Sequence, residues 1–223
     1  GIHALHSWGS HGIIHRDLKP LNILVTQNYM LKIADLGTAR LLHQYEVSAA
    51  AASKTNTLFK MRGTSFYVCP ELIMREQATC KSDVYSFGMI LWELVFRCIN
   101  GYHTDPFTEY PKLLVHEVTL WKAVAERKVR PTIPSSCPIP VKQLIERCWH
   151  HDPQQRPDSQ ALIDAIISLQ LEYNDDEEAW DDAVVFDDSD YSDDSDYDSN
   201  YDDSDETSHD SDETSHDSDE TSH

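Results

Sequence analysis

The acidic residues of this chain are concentrated at its C-terminal end, and this uneven distribution limits which part can fold into a compact body. Residues 174–223 hold 23 of the 39 Asp and Glu residues and none of the 18 Lys and Arg residues. The preceding residues therefore carry a formal charge of about +2, which is typical of a globular surface. A body of this size buries about 70% of the surface that its unfolded chain exposes, which is enough for a hydrophobic core.

The acidic segment has the composition of a disordered tail. It ends in three identical heptads, DSDETSH, which begin at Asp203, Asp210 and Asp217. The heptads hold no apolar residue, so they do not form a coiled coil, and their like charges lie within the screening length of about 8 Å. We expect residues 173–223 to be a disordered tail that either keeps the protein soluble or binds Ca²⁺, a basic protein partner or a phosphorylating enzyme. An EF-hand loop pattern is absent, and the apolar residues in 180–186 are either a docking motif or incidental.

The five cysteines indicate reduced thiols. They are scattered and form no CxxC pair, which favours a cytoplasmic or nuclear compartment; they are Cys69, Cys80, Cys98, Cys137 and Cys148. A zinc set of Cys137, Cys148, His150 and His151 is conceivable, but its spacing matches no common zinc finger.

Hydropathy predicts neither a membrane span nor a signal peptide. The best apolar run, residues 87–96, is shorter than the roughly 18 residues that a span needs, and it contains Glu93. The first residues lack a charged stretch followed by an apolar one. We expect neither a membrane nor a nucleic acid as a partner.

The apolar patterns predict an α+β fold that is mainly helical. Residues 81–97 are apolar on all faces, which is typical of a buried helix. Residues 38–68 lack periodicity and read as a long, functional loop. The remaining elements are a helix end within residues 1–12, short strands within 13–14, 22–26 and 31–34, and helices at about 111–127, 141–149 and 158–171.

Two short motifs resemble the active site of eukaryotic protein kinases. Residues 15–22 read HRDLKPLN, and residues 35–37 read DLG, with Asp35 thirteen residues after Asn22. They resemble the catalytic loop and the metal-binding turn of that family. Three later segments extend the resemblance to about residue 172: CPE at 69–71, SDVYSFG at 82–88 and the block from CW at 148–149 to RP at 156–157. The resemblance implies that residues 1–172 form the C-terminal, mainly helical lobe of a protein kinase domain, with short strands around the catalytic loop.

The resemblance implies a role for each residue of the two motifs. Asp17 would accept the proton of the substrate hydroxyl, and Lys19 would neutralise charge on the transferring phosphoryl group. Asn22 and Asp35 would hold Mg²⁺. Leu24 would lie under the adenine ring of ATP beside Asp35; its alternative is an ordinary core residue.

Other residues would support this site. By resemblance, Asp83 accepts backbone hydrogen bonds from the catalytic loop and so holds His15 and Arg16 in place; its alternative is a simple acid in the first turn of a helix. Glu71 and Arg156 would form a buried ion pair, or else be two independent surface charges. Leu36 and Gly37 complete the metal-binding turn, in which Leu36 replaces the usual Phe. Thr64 would bridge Asp17 and Lys19, and Arg16 would receive a phosphate carried by Ser53, Thr55 or Thr57.

These features predict a serine/threonine protein kinase that uses Mg²⁺ and ATP and acts on Ser or Thr of a protein substrate. Lys19 and the dipeptide at 63–64 resemble the serine/threonine pattern, whereas residues 82–88 lean toward the tyrosine-kinase-like group of such kinases. The alternative is an inactive, kinase-like scaffold or binding module.

The sequence contains no Gly-rich GxGxxG loop and no partner Lys and Glu of an N-terminal lobe. We therefore interpret it as an N-terminally truncated fragment. Alone, it is expected to bind Mg-ATP weakly or not at all and to lack activity, because the contacts that an N-terminal lobe makes with the phosphates and the adenine are missing. It is also expected to aggregate, because His15 and Leu36 would leave an apolar patch bare.

Overall fold

A computed structural model describes residues 1–10, 12–41 and 65–174 of the chain. The helices are α1 (Ile2–His6), α2 (Pro70–Ile73), α3 (Cys80–Asn100), α4 (Pro111–Leu114), α5 (Glu117–Ala125), α6 (Ile139–Cys148) and α7 (Ser159–Asn174). The strands are β1 (Ile13–Ile14), β2 (Ile23–Val25), β3 (Leu31–Ile33) and β4 (Arg40–Leu41). Short 3₁₀ turns lie at Pro20–Asn22, Leu36–Thr38, Ser65–Tyr67 and Pro153–Gln155.

Helix α3 is the centre of the core. Its start is fixed by a capping box, in which the Thr79 side chain accepts from the backbone of the first turn and Ser82 bonds back to the Thr79 N–H. Its end is fixed by Gly101, whose φ of 77° suits a left-handed C-terminal cap. The predicted buried helix at 81–97 is confirmed; it begins one residue earlier, at Cys80, and ends three residues later, at Asn100. Most of α3 is buried, and its aromatic residues Tyr85 and Trp92 are almost fully enclosed.

Helix α6 packs closely against α3 because the contact contains a glycine. A Cβ atom built on Gly88 would lie 2.7 Å from the Cβ of Cys148. The predicted helices at 141–149 and 158–171 are confirmed as α6 and α7.

The single helix predicted at 111–127 is wrong. The structure has two helices, α4 and α5, and the chain is extended at His116, with φ −141° and ψ 132°. The apolar spacing continues across this break, and for that reason the sequence pattern does not reveal it.

The strands form two small antiparallel sheets. In one, β2 pairs with β3, with Ile23 opposite Ile33. In the other, β1 pairs with β4, with Ile13 opposite Leu41. Strand β4 lies in the segment that was predicted to be a loop, so that prediction is wrong at residues 40–41. Both sheets lie beside the loop of residues 15–22 and set its position.

All five cysteines are described and are free thiols. No group of three or more His, Cys, Asp or Glu side chains with the geometry of a metal site occurs in the described part of the chain, which includes the four residues of the conceivable zinc set. Within the same residues, none of the helices has the length and apolarity that crossing a membrane requires.

Candidate active site

The loop of residues 15–22, hereafter the HRD loop, is held by a buried carboxylate on α3. Asp83 is 1% exposed, and its two oxygens accept the backbone N–H groups of His15 and Arg16, each at 2.8 Å. Arg16 has a φ of 70°, a conformation that is rare for a side chain of this size. Two consecutive backbone donors on one carboxylate stabilise that conformation, so the expected backbone bonds from the HRD loop to Asp83 are present.

A histidine from α1 completes the surroundings of Asp83. The Nε2 atom of His6 lies 2.9 Å from Asp83 Oδ2. Burial lowers the pKa of His6, but its hydrogen bond to Asp83 and the adjacent Cys80 thiol outweigh this effect and raise the pKa to about 9. His6 is therefore a cation at neutral pH and balances the charge of the buried carboxylate.

Inside the HRD loop, three polar side chains meet at one carboxylate. The Lys19 ammonium donates to Asp17 Oδ2 at 2.7 Å, and Asn22 Nδ2 donates to the same oxygen at 3.2 Å. Asn22 Nδ2 also donates to the Asp17 backbone carbonyl at 2.8 Å. Because both side-chain bonds reach Oδ2, Oδ1 is the oxygen that remains for an incoming hydroxyl group. The Asp17 side chain is 35% exposed, so a substrate can reach it.

The β2–β3 hairpin brings the second motif to the first. Asn22 directly precedes β2, and Asp35 follows β3 by two residues. The register continues past the strands, since the Ala34 N–H donates to the Asn22 carbonyl at 2.8 Å. Asn22 therefore lies opposite Ala34, and Asp35 directly follows that pair.

The turn at Asp35–Gly37, hereafter the DLG turn, has a constrained backbone. Asp35 has a φ of 60°, and its Oδ1 accepts the Gly37 N–H at 3.1 Å. A Cβ atom on Gly37 would lie 3.0 Å from that same oxygen, so the turn favours glycine here. The next residue, Thr38, ties the turn to the HRD loop: its hydroxyl donates to the His15 carbonyl at 2.9 Å, and its carbonyl accepts from Arg16 Nε at 2.7 Å.

His15 is fully buried, so the expectation that it would be bare is wrong. Its Nε2 lies 2.9 Å from the Ala34 carbonyl, and its Nδ1 lies 3.3 Å from the Asp17 N–H. These partners assign the proton to Nε2. The ring thus links the HRD loop to the DLG turn. Leu36, in contrast, is 52% exposed, as expected for a side chain that lacks a covering surface in this part of the chain.

The donor set of Asn22 and Asp35 suits Mg²⁺. Asn22 uses its Nδ2 in bonds to Asp17, which leaves its amide oxygen as a ligand atom. Asp35 is exposed and supplies a carboxylate. Mg²⁺ prefers hard oxygen ligands and is commonly held by one or two protein side chains together with substrate phosphates. The residues present therefore fit the ion that the sequence predicted.

A buried ion pair lies beside the first turn of α3. Arg156 donates to both oxygens of Glu71, at 2.7 and 2.8 Å, and both side chains are almost fully buried. Ser82 adds a bond to Glu71 at 2.9 Å. Burial opposes ionisation, but the hydrogen bonds and charge of Arg156 lower the pKa of Glu71 overall. The expected ion pair is present, and the alternative of two surface charges is excluded.

Some predicted site residues are not brought into this arrangement. Leu24 is 55% exposed, so it is not an ordinary core residue, and its contact with a nucleotide stays a prediction. Thr64 and the predicted phosphosites Ser53, Thr55 and Thr57 lie outside the described residues, as does the acidic tail.

The sequence reasoning missed His6 and Thr38. His3 and His6 are three residues apart and so share one face of a helix, which is a usable signal. His3 bonds Ser159 at the start of α7, and His6 bonds Asp83 in α3. Nothing in the sequence singles out Thr38.

The β2–β3 hairpin brings the HRD loop and the DLG turn together, and the comparisons identify the family of the chain. A family model described as "Protein kinase domain" matches residues 1–166, so the chain belongs to the protein kinase family.

Its relatives include several kinases of Dictyostelium discoideum. Stress-activated protein kinase alpha is 41% identical over 180 residues, covering 81% of this chain and 27% of that protein. A probable serine/threonine-protein kinase is also 41% identical over 180 residues; the match covers 81% of this chain and 17% of that kinase. Dual specificity protein kinase shkE is 36% identical over 180 residues, covering 75% of this chain and 22% of that protein. The chain thus spans about a quarter or less of the length of these curated relatives.

Proposed function

We propose that this chain carries the catalytic residues of a serine/threonine protein kinase of the tyrosine-kinase-like group. The observation that carries the proposal is the Asp17 carboxylate, which has Oδ2 bound by Lys19 and Asn22 and Oδ1 left for a hydroxyl group. The domain body would be residues 1–172, the C-terminal lobe of the kinase fold. The end of α7 at Asn174 and the end of the family match at residue 166 support that boundary.

The residues of the HRD loop would act by positioning and by charge. Asp17 Oδ1 would orient the acceptor hydroxyl and take its proton as the new P–O bond forms. Lys19, 2.7 Å from Asp17, would place a positive charge next to the phosphoryl group in transit. Most of the catalysis of phosphoryl transfer comes from such positioning and electrostatic stabilisation.

Asn22 and Asp35 would hold Mg²⁺, which supplies charge neutralisation on the phosphates of ATP. Leu24, an exposed apolar side chain on β2 two residues after Asn22, would contact the adenine ring. Arg16 would bind a phosphate on Ser53, Thr55 or Thr57, and Thr64 would bridge Asp17 and Lys19.

The partners would be protein substrates with a Ser or Thr acceptor. One relative carries "dual specificity" in its name, so the acceptor must be tested directly. The full-length product of the gene, incubated with labelled ATP and matched peptides that differ only in Ser, Thr or Tyr, should phosphorylate the Ser and Thr peptides. Transfer to Tyr alone would contradict the serine/threonine assignment.

The metal role has its own test. Asp35→Ala should remove most of the transfer and the dependence of the rate on Mg²⁺ concentration, whereas Asp164→Asn, an exposed carboxylate on α7, should change neither. Absence of transfer by the wild-type protein to any peptide would instead favour the scaffold alternative.

A further inference from the structure

A buried carboxylate in the second half of α3 takes no part in the HRD loop or the DLG turn. Glu93 is 8% exposed and, with Glu71 and Asp83, is one of the buried acidic side chains in the part of the chain that the structure describes. Burying a charge is costly unless hydrogen-bond donors surround it. The donors that reach Glu93 therefore indicate what this residue holds in place.

Two donors from different segments bind Glu93, one at each oxygen. The Tyr67 hydroxyl donates to Oε2 at 2.6 Å, and Nε2 of His103 lies 2.6 Å from Oε1. Because an ionised carboxylate only accepts, the proton of the second bond lies on His103 Nε2. Burial and the bond to Glu93 raise the pKa of the Tyr67 phenol, so its hydroxyl remains a donor. Glu93 thus joins the turn at Ser65–Tyr67 to the loop of residues 101–110, which follows α3.

An apolar contact joins the same two segments. The ring centroids of Phe66 and Phe107 are 6.4 Å apart, and Phe107 is fully buried. Aromatic contacts of this kind contribute packing but little directional control. His103 adds the directional bond, and its own side chain is 48% exposed, so its removal leaves the core intact.

The turn at Ser65–Tyr67 is attached to the helix that also holds the HRD loop. The Ser86 hydroxyl donates to the Tyr67 carbonyl at 2.8 Å, so α3 binds Tyr67 at its backbone as well as at its hydroxyl. Asp83, nearly one turn earlier on α3, binds the backbone of the HRD loop. Thr64, the residue proposed to bridge side chains of that loop, directly precedes the turn. The position of Tyr67 therefore bears on where Thr64 can reach.

We propose that His103 is a positioning residue for phosphoryl transfer: it fixes the carboxylate of Glu93, and Glu93 fixes Tyr67 and the turn that follows Thr64. The role rests on the kinase function proposed above. Loss of the His103 donor lets the carboxylate turn away from the Tyr67 hydroxyl, which loosens the turn. The proposed contacts with ATP and Mg²⁺ are unaffected, so turnover falls while the binding of ATP is kept.

The first experiment measures turnover of the full-length protein. His103→Leu should lower kcat about tenfold and leave the KM for ATP unchanged, because it removes one hydrogen bond to a charged group. His103→Gln keeps a donor and should restore most of kcat. His116→Leu is the matched control, since this exposed histidine precedes α5 and makes no side-chain cap bond. An unchanged kcat in His103→Leu would overturn the proposal, whereas absence of turnover by the wild-type protein would contradict the kinase function itself.

A double-mutant cycle separates positioning through Tyr67 from a general loss of stability. Tyr67→Phe keeps the ring and removes the hydroxyl, so it should lower kcat by a similar factor. If His103 acts through Glu93 and Tyr67, the double variant should be no slower than Tyr67→Phe alone. Two factors that multiply would show that the residues act independently, and this outcome would refute the proposal.

Hydrogen exchange of the intact chain tests the same contact without phosphoryl transfer. The peptide that covers residues 65–69 should exchange about tenfold faster in His103→Leu than in the wild-type protein, while a peptide from α6 should exchange at the same rate in both. Unchanged exchange at residues 65–69 would show that His103 does not hold the turn. Faster exchange in both peptides would show a general loss of stability and would also count against a positioning role.

Discussion

The HRD loop and the Glu71–Arg156 ion pair use charged residues in opposite ways. The Asp17 side chain is 35% exposed and shares one of its oxygens with Lys19, whereas Glu71 and Arg156 are at most 4% exposed and bind through both oxygens. In the first pair, Asp17 Oδ1 stays available to a substrate, and the side chain is accessible from solvent. The second has neither, so it can only hold the structure together. This contrast suggests that chemistry and stability depend on different residues of the same region, although the two sets lie close in the fold.

The largest expected effect tests the exposed side of this contrast. Asp17→Asn should lower the rate of phosphoryl transfer by the full-length protein by about 10²–10⁴-fold, because a positioned base is lost while the shape of the side chain is kept. The midpoint of thermal unfolding should stay nearly unchanged. Asp164→Asn serves as the control in both measurements. A large fall in unfolding temperature without loss of rate would reverse the assignment of the two regions.

The next effect tests the buried side. Arg156→Met should lower the free energy of unfolding by about 3–5 kcal/mol, because it leaves the Glu71 carboxylate buried without its partner. Arg156 also donates to the carbonyls of His150 and Lys81, which lose those bonds too. Arg147→Met, which removes an exposed arginine from α6, should cost far less. Denaturant unfolding of the three proteins makes the comparison, and similar stabilities for both variants would refute the structural role of the ion pair.

Close packing around α3 predicts a smaller loss. Gly88→Ala places a Cβ atom 2.7 Å from Cys148 Cβ and 3.2 Å from the Trp149 backbone nitrogen. Overpacking of this kind costs about 1–3 kcal/mol, and the better helix propensity of Ala recovers up to about 1 kcal/mol. We expect a net destabilisation of about 1–2 kcal/mol in denaturant unfolding. Leu94→Ala, at a position of α3 that is 57% exposed, should be nearly neutral. A stabilised Gly88→Ala variant would show that α3 and α6 can separate at little cost.

The exposed and buried regions also differ in how far the sequence predicts them. Helix α3 was predicted because a long segment that is apolar on all faces has few alternatives. The sequence predicts roles for Asp17, Asn22 and Asp35 because the spacing of the two motifs is specific. The pairing of β1 with β4 was missed, since strands of two residues have no periodicity. The link from His6 to Asp83 joins residues 77 positions apart, and no local pattern reports such a contact.

The last effect depends on pH and concerns His6, which bonds the carboxylate of Asp83 that holds the HRD loop. The pKa of His6 is about 9 in the folded protein and 6.5 as its ordinary value, so protonation of the ring favours the folded state. This contribution is complete below pH 6.5, declines as the pH rises and is lost above pH 9. His6→Gln keeps a donor for Asp83 but no charge, so its deficit in unfolding free energy should be larger at pH 6 than at pH 9.5. The difference between the two deficits should be about 1–3 kcal/mol. Direct titration of the His6 ring by NMR should give the same midpoint. Parallel stability curves for the two proteins from pH 6 to 9.5 would show that the charge of His6 does not support Asp83, and that the HRD loop is held by Asp83 and its backbone bonds alone.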